Sequence, residues 1–148
     1  MKDITSFSGR YAFLSNFSPA SVYILIGTKW VRCITVEHAY QASKTLDQDW
    51  RRKIISAPTA GDAKCLGQRA PLVSYWPDVR TVVMLELLRQ KFSRSAVFRR
   101  KLISTSNAHL VEGNHWHDNF WGACQCGQCW GGQNWLGQLL MRVRRDVR

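Results

Sequence analysis

The run Glu37-His38-Ala39-Tyr40-Gln41-Ala42-Ser43-Lys44 sets a carboxylate, a phenol ring and an amine close together in the chain. On a helix, Glu37, Tyr40 and Lys44 fall at i, i+3 and i+7, along one face. A rise of 1.5 Å per residue leaves the two charged residues about 10 Å apart along the axis, too far for a simple ion pair. That gap suits two side chains converging on a sugar-sized group, with Tyr40 as its floor. The same spacing also describes a solvated helix face whose charges meet only water.

A second run, Trp116-His117-Asp118-Asn119-Phe120-Trp121-Gly122, places an aspartate between two tryptophans. Polar residues so placed in a core would each need a buried partner. An aromatic-walled pocket with one carboxylate offers stacking for a base or sugar and a group to move a proton. A surface loop pinned by tryptophan packing is the plainer alternative. Next comes Gly131-Gly132-Gln133-Asn134-Trp135-Leu136-Gly137, which opens a helix. Its free N–H groups and positive dipole end would suit an anion, although an ordinary capped helix has the same pattern.

Cys126-x-x-Cys129 has metal-ligand spacing, and His115, His117 or Cys124 would complete a four-ligand zinc set. No second pair lies at finger spacing, so buried or free thiols are the favoured reading and no metal is expected. The C-terminal Arg142, Arg144, Arg145 and Arg148 would track phosphates or complement the negative end of their own helix.

The elements that must position these groups follow from pattern. Val22–Ile26 and Trp30–Ile34 are rich in β-branched and aromatic residues and flank Gly27-Thr28-Lys29, which predicts a hairpin. Thr35 is the expected N-cap of a helix over Val36–Leu46, and a second helix follows Asp47 and ends before Pro58. Thr59 opens a short helix to Leu66 with Gly67 as its stop. Trp76-Pro77 starts a buried helix reaching about Lys91, and Ser93 or Ser95 caps another. His109–Glu112 is a candidate short strand, and a last helix runs over Trp135–Val147. Between them, Gly113 to Gln133 lacks either period, yet four of the chain's seven tryptophans lie between Gly113 and Trp135. The fold class expected is α+β, mainly helical, with one small antiparallel sheet.

The 148 residues carry 21 Lys plus Arg against 10 Asp plus Glu, a net charge of +11. One domain over 1–148 is the natural reading at this length. With 45% hydrophobic and 21% charged residues, the composition excludes a disordered tail or a fibre. The positive excess suggests an anionic partner, DNA or RNA among them. Met1–Ser6 shows no apolar signal region and no apolar stretch is long enough for a bilayer, so a cytoplasmic setting without membrane contact is expected. Five cysteines, an odd number with three of them clustered, agree with that compartment. Oligomeric state is not legible.

Several motifs, in order, resemble one family. They are Phe7-Ser8-Gly9-Arg10-Tyr11-Ala12-Phe13-Leu14-Ser15-Asn16-Phe17-Ser18-Pro19, the Glu37–Lys44 run, Ala63-Lys64-Cys65-Leu66-Gly67 with Trp76, Arg80 and Met84, the Trp116–Gly122 run, and Asn134-Trp135-Leu136-Gly137-Gln138-Leu139-Leu140-Met141. Together they resemble the NADAR family of YbiA-like N-glycosidases across nearly the whole chain. The resemblance implies a small, mainly helical α+β domain that hydrolyses N-glycosidic bonds of ribosides. Two substrate types come with it: phosphoribosylamino-pyrimidine intermediates of riboflavin synthesis, and ADP-ribose attached to guanine. It also implies a Schiff base between the motif lysine, here Lys44, and the opened ribose.

On that reading Lys44 must be held neutral. Free lysine titrates at about 10.4, and lowering it to roughly 7–8 needs about 4 kcal/mol of differential stabilisation, which burial against Tyr40 and tryptophans would supply. A charged Glu37 would oppose the shift, which places it over the ribose hydroxyls. Asp118 is the candidate acid for the departing base and later activator of water, with Glu37 the alternative. Trp76, Trp116 and Trp121 would stack on base or sugar beside Tyr40 and Gly122. Asn16 would bind a ribose hydroxyl, while Arg10 and the Asn134 helix start would hold phosphate. No cofactor is required by this route. The rival reading is an ADP-ribose- or nucleic-acid-binding module without turnover.

Overall fold

The computed structural model describes residues 2–128 and 131–148. It is mainly helical with a small antiparallel sheet, as the sequence pattern predicts, and it packs as two compact units. One unit comprises residues 16–91, and the other joins residues 1–15 to 92–148.

The 16–91 unit begins with a hairpin, β1 (Pro19–Ile26) and β2 (Lys29–Thr35), in antiparallel register with Ile26 opposite Lys29. Gly27 sits at φ +61°, the conformation a two-residue hairpin turn asks of its first position. Helix α1 (Val36–Ser43) follows without a linker, because Thr35 ends the strand and caps the helix, its hydroxyl accepting from His38 N–H at 3.1 Å. Helices α2 (Gln48–Ile55) and α3 (Ala60–Arg69) are capped in the same way by Asp47 and Thr59. The long helix α4 (Trp76–Arg94) starts in this unit. Its Gln90 behaves as a strand neighbour for β1: the amide accepts from Tyr23 N–H at 2.7 Å and donates to Tyr23 C=O at 2.9 Å. Val22, Val36, Ile54, Met84 and Leu88 are buried here.

In the other unit a 3-10 helix, Gly9–Leu14, precedes the end of α4, then α5 (Ala96–Ser104, capped by Ser95) and α6 (Trp135–Asp146). Leu102, Leu110, Leu139, Leu140 and Val143 form its buried face. Truncating any one of these leucines to alanine removes roughly 2–5 kcal/mol. Between α5 and α6 lie β3 (Gly113–Asn114) and β4 (Ala123–Cys124), paired in parallel.

Four boundaries differ from the pattern reading. Helix α1 stops at Ser43 rather than Leu46, because the Lys44 carbonyl accepts from Val73 N–H at 2.9 Å and Asp47 starts the next cap. Gly67 is not the end of α3 but an interior position kept small by Gln41. The strand expected over His109–Glu112 shrinks to one parallel bridge, Ile4 with Leu110. The β3–β4 pair leaves no mark in the pattern, since two residues are too few to show alternation. Among the described residues no helix is long and apolar enough to cross a membrane.

Candidate active site

Helix α1 carries the first group of candidate residues. Its N-terminus is fixed three times over. Thr35 Oγ1 accepts from the His38 backbone and lies 2.7 Å from His38 Nδ1, while His38 Nε2 lies 3.0 Å from the Ala57 carbonyl. A carbonyl only accepts, so Nε2 carries a hydrogen and donates it to Ala57. The Asn16 carbonyl accepts from Glu37 N–H at 3.1 Å, which ties the chain entering β1 to the first turn of α1.

Glu37 is 7% exposed. Burial holds its carboxyl above the usual carboxylate range, and the opposing pulls of the Gln41 hydrogen bond, Lys64, Lys44 and His38 do not cancel that. Gln41 Nε2 donates to Glu37 Oε1 at 2.6 Å, one turn along the helix. The Gln41 amide fits because residue 67 has no side chain; a Cβ there would collide with it.

Lys44 stands at the end of the same face. Burial pushes its amine below the ordinary lysine value, and Lys64 and Arg80 push the same way, against the single upward pull of Glu37. Its Nζ sits 5.1 Å from the centre of the Tyr40 ring, and Tyr40 in turn meets Trp76 at 5.2 Å between ring centres, tilted by 56°. Tyr40 and Trp76 are both buried. Burial beside these rings disfavours the charged amine and outweighs the attraction of the Tyr40 ring face for a cation. Asn16 completes this group: Nδ2 contacts Met84 Sδ at 3.6 Å, and its Oδ1 is buried with no donor among the described residues. Glu37, Tyr40, Lys44, Trp76 and Asn16 thus all belong to the 16–91 unit. Lys64 and Arg80 belong to the motifs but not to the site residues expected from sequence. Neither sits on α1, so helical spacing carried no sign of their influence on Lys44.

The remaining candidates belong to the other unit, and several do structural work. Asp118 Oδ1 accepts from Phe120 N–H at 3.1 Å and Trp121 N–H at 2.9 Å, so the side chain closes the turn between the aromatic residues. Asn114 braces the same turn, accepting from Asp118 N–H and donating to Asp118 C=O. Trp116 is 61% exposed, whereas Trp121 is half-buried edge-on against Phe120 at 4.9 Å. Gly122 is small because the Glu112 carbonyl occupies the space of a side chain. Arg10 is exposed, its guanidinium 4.7 Å above the Tyr11 ring.

The anion-binding reading of the α6 start is corrected. Asn134 turns its side chain inward, accepting from Glu112 N–H at 3.0 Å and donating to Leu110 C=O at 2.9 Å. The Trp135 and Leu136 N–H groups donate to Phe120 and Trp121 carbonyls at 3.1 and 3.0 Å. Donors that would face a phosphate are spent on the tryptophan loop instead.

This architecture agrees with the comparisons. The NADAR domain model matches residues 5–148, and the chain belongs to that family. It is 38% identical over 143 residues to the N-glycosidase Npun_R5314 of Nostoc punctiforme, covering 93% of this chain and 86% of that one. N-glycosidase YbiA of Escherichia coli is 35% identical over 119 residues, 79% of this chain and 71% of that one. The NMR structure of E. coli YbiA superposes with a TM-score of 0.79 at 33% identity, covering 99% of this chain and 86% of that chain. A riboflavin biosynthesis protein of Vibrio vulnificus, VVA0006, is 34% identical over 140 residues, 93% of this chain but 36% of its own length.

Proposed function

We propose that this chain cleaves a riboside by covalent catalysis, with Lys44 as nucleophile and Glu37 as the group that moves the proton. The coarser activity, hydrolysis of an N-glycosyl bond, follows from its family and from the N-glycosidases it resembles. The observation that carries the finer reading is the opposite action of burial on two residues of one helix face. Glu37 is shifted toward its neutral acid and Lys44 toward its neutral amine, the forms in which one donates a proton and the other an electron pair.

The steps balance as follows. The neutral Lys44 amine attacks the anomeric carbon, the glycosidic C–N bond breaks, and its electron pair leaves with the base, which takes the proton of Glu37. The resulting carboxylate removes a proton from the new C–N linkage and returns it to the ring oxygen. The ring then opens, leaving a protonated imine on Lys44. Water adds to that carbon with Glu37 accepting its proton, the lysine amine is expelled, and free ribose closes again. Amine and acid are both regenerated.

Glu37 takes this role rather than Asp118, because Asp118 Oδ1 is engaged by two backbone donors. The neutral acid also removes the conflict of a charged carboxylate beside a lysine that must stay neutral. Tyr40 and Trp76 wall the sugar, and the buried acceptor Asn16 Oδ1 suits a ribose hydroxyl. Lys64 and Arg80 supply positive charge for substrate phosphate. The net charge of +11 favours ADP-ribosylated guanine in a nucleic acid, while the riboflavin intermediate offers the same phosphate and the same bond.

Product analysis on both substrates, wild type against Lys44→Ala, tests the proposal. Release of free base by wild type alone, with a borohydride-trapped sugar adduct on the protein, is expected. A folded wild type that binds either riboside and cleaves neither would replace this reading with a binding module.

A further inference from the structure

In the 1–15 and 92–148 unit, His117, Cys124 and Cys126 aim three metal-ligating atoms at one point, and they take no part in the proposed reaction. His117 Nδ1 lies 3.7 Å from Cys124 Sγ and 3.6 Å from Cys126 Sγ, and all three ligand atoms fall within 4.8 Å of one another. A tetrahedral zinc with bonds of about 2.0–2.1 Å to nitrogen and about 2.3 Å to sulfur has N···S edges of roughly 3.6 Å. The two N···S separations fit. Hydrogen bonding explains them less well, because one imidazole nitrogen offers a single hydrogen or a single lone pair and two sulfurs converge on it. A shared cation satisfies both contacts at once.

The backbone is arranged to hold the donors there. Cys124 is buried on β4, and its N–H lies 3.2 Å from both Asn119 Oδ1 and the Gly131 carbonyl. His117 is turned back toward it through a left-handed φ of 66°. His115, the alternative ligand in the sequence, is exposed and lies outside the cluster. Cys129 stands at C-x-x-C spacing from Cys126 and lies outside the described residues, so the site rests on three ligands.

We infer that His117, Cys124 and Cys126 bind a zinc-class divalent cation, which staples the loop carrying Trp116, Asp118 and Trp121 to β4. The role is structural: closing the loop between residues 117 and 126 restricts Trp121 within it and Trp116 beside it before any ligand arrives. Because no step of the proposed hydrolysis passes through the metal, the site stands or falls independently of the glycosidase reading.

The test is metal analysis of the full chain, expressed without a histidine tag in zinc-supplemented medium and kept reduced without chelator. It is followed by cobalt(II) titration of the metal-stripped protein. One equivalent of zinc per chain is expected, with thiolate-to-cobalt charge-transfer absorption saturating at the same stoichiometry. His117→Ala, Cys124→Ser and Cys126→Ser should lose both, while Cys33→Ser and Cys65→Ser keep them. Chelator should lower the melting temperature of wild type and leave the cluster variants unmoved. Wild-type protein that carries no zinc and gives no thiolate–cobalt absorption overturns the site, whether or not the variants fold. So does full zinc retention in the three cluster variants.

Discussion

Gln41 hydrogen-bonds the buried carboxyl of Glu37 at 2.6 Å, and Gly67 on the neighbouring helix makes the room for it. The bond opposes the burial that raises Glu37, so it tunes how much of the acid is protonated at a given pH. Gly67→Ala should therefore do more than fill space. Alanine ordinarily gains about 1 kcal/mol over glycine inside a helix, but here the clash should cost roughly 1–3 kcal/mol of stability. Losing the bond raises the Glu37 pKa further, and the limb of the pH–rate profile governed by Glu37 should move to higher pH. A variant with reduced stability and an unmoved profile would mean that Gln41 only packs.

Lys44→Met keeps the length and the contact with Tyr40 but removes the amine. Turnover should fall by at least about 10³-fold, a loss of some 4 kcal/mol in transition-state stabilisation, with the borohydride adduct absent. Lys44→Arg should not rescue it, since guanidinium stays charged. Normal single-turnover cleavage in either variant would remove Lys44 from the chemistry.

Asp118→Asn preserves an oxygen acceptor for the Phe120 and Trp121 N–H groups, whereas Asp118→Ala does not. The expected pattern is near-wild-type turnover and stability for asparagine, and a loss of about 1–3 kcal/mol in stability for alanine. Denaturant melts beside initial rates read both. Collapse of turnover in a stably folded asparagine variant would return the proton-transfer role to Asp118.

Lys91 is 1% exposed, donates from Nζ to Ser18 Oγ at 2.8 Å, and is pushed down by burial to about 7. The unfolded chain holds this proton up to the ordinary lysine value of 10.5, so between about 7 and 10.5 the unfolded state binds more protons. Stability should rise with pH across that window and be lost as pH falls through about 7. Urea melts at stepped pH should show the rise in wild type and a flatter curve in Lys91→Met. Equal slopes would mean that Lys91 keeps its proton in the fold.

Local chemistry was enough to read most of the frame from sequence. Thr35, Asp47, Thr59 and Ser95 each cap the helix predicted for them, because a side-chain oxygen and the N–H it satisfies lie within three residues. The hairpin around Gly27 was legible for the same reason, and so was the shared face of Glu37, Tyr40 and Lys44. What the sequence left undecided depends on groups far apart in the chain. Burial decides that Glu37 gains proton affinity while Lys44 loses it, and Lys64 and Arg80 act on that lysine from other helices. Local pattern makes Gly67 a helix stop and Asn134 an open helix start, whereas in the fold the Gln41 amide packs against Gly67 and the Asn134 side chain is bonded to Leu110 and Glu112. Spacing names which donors a chain owns; only packing decides which of them are already spent.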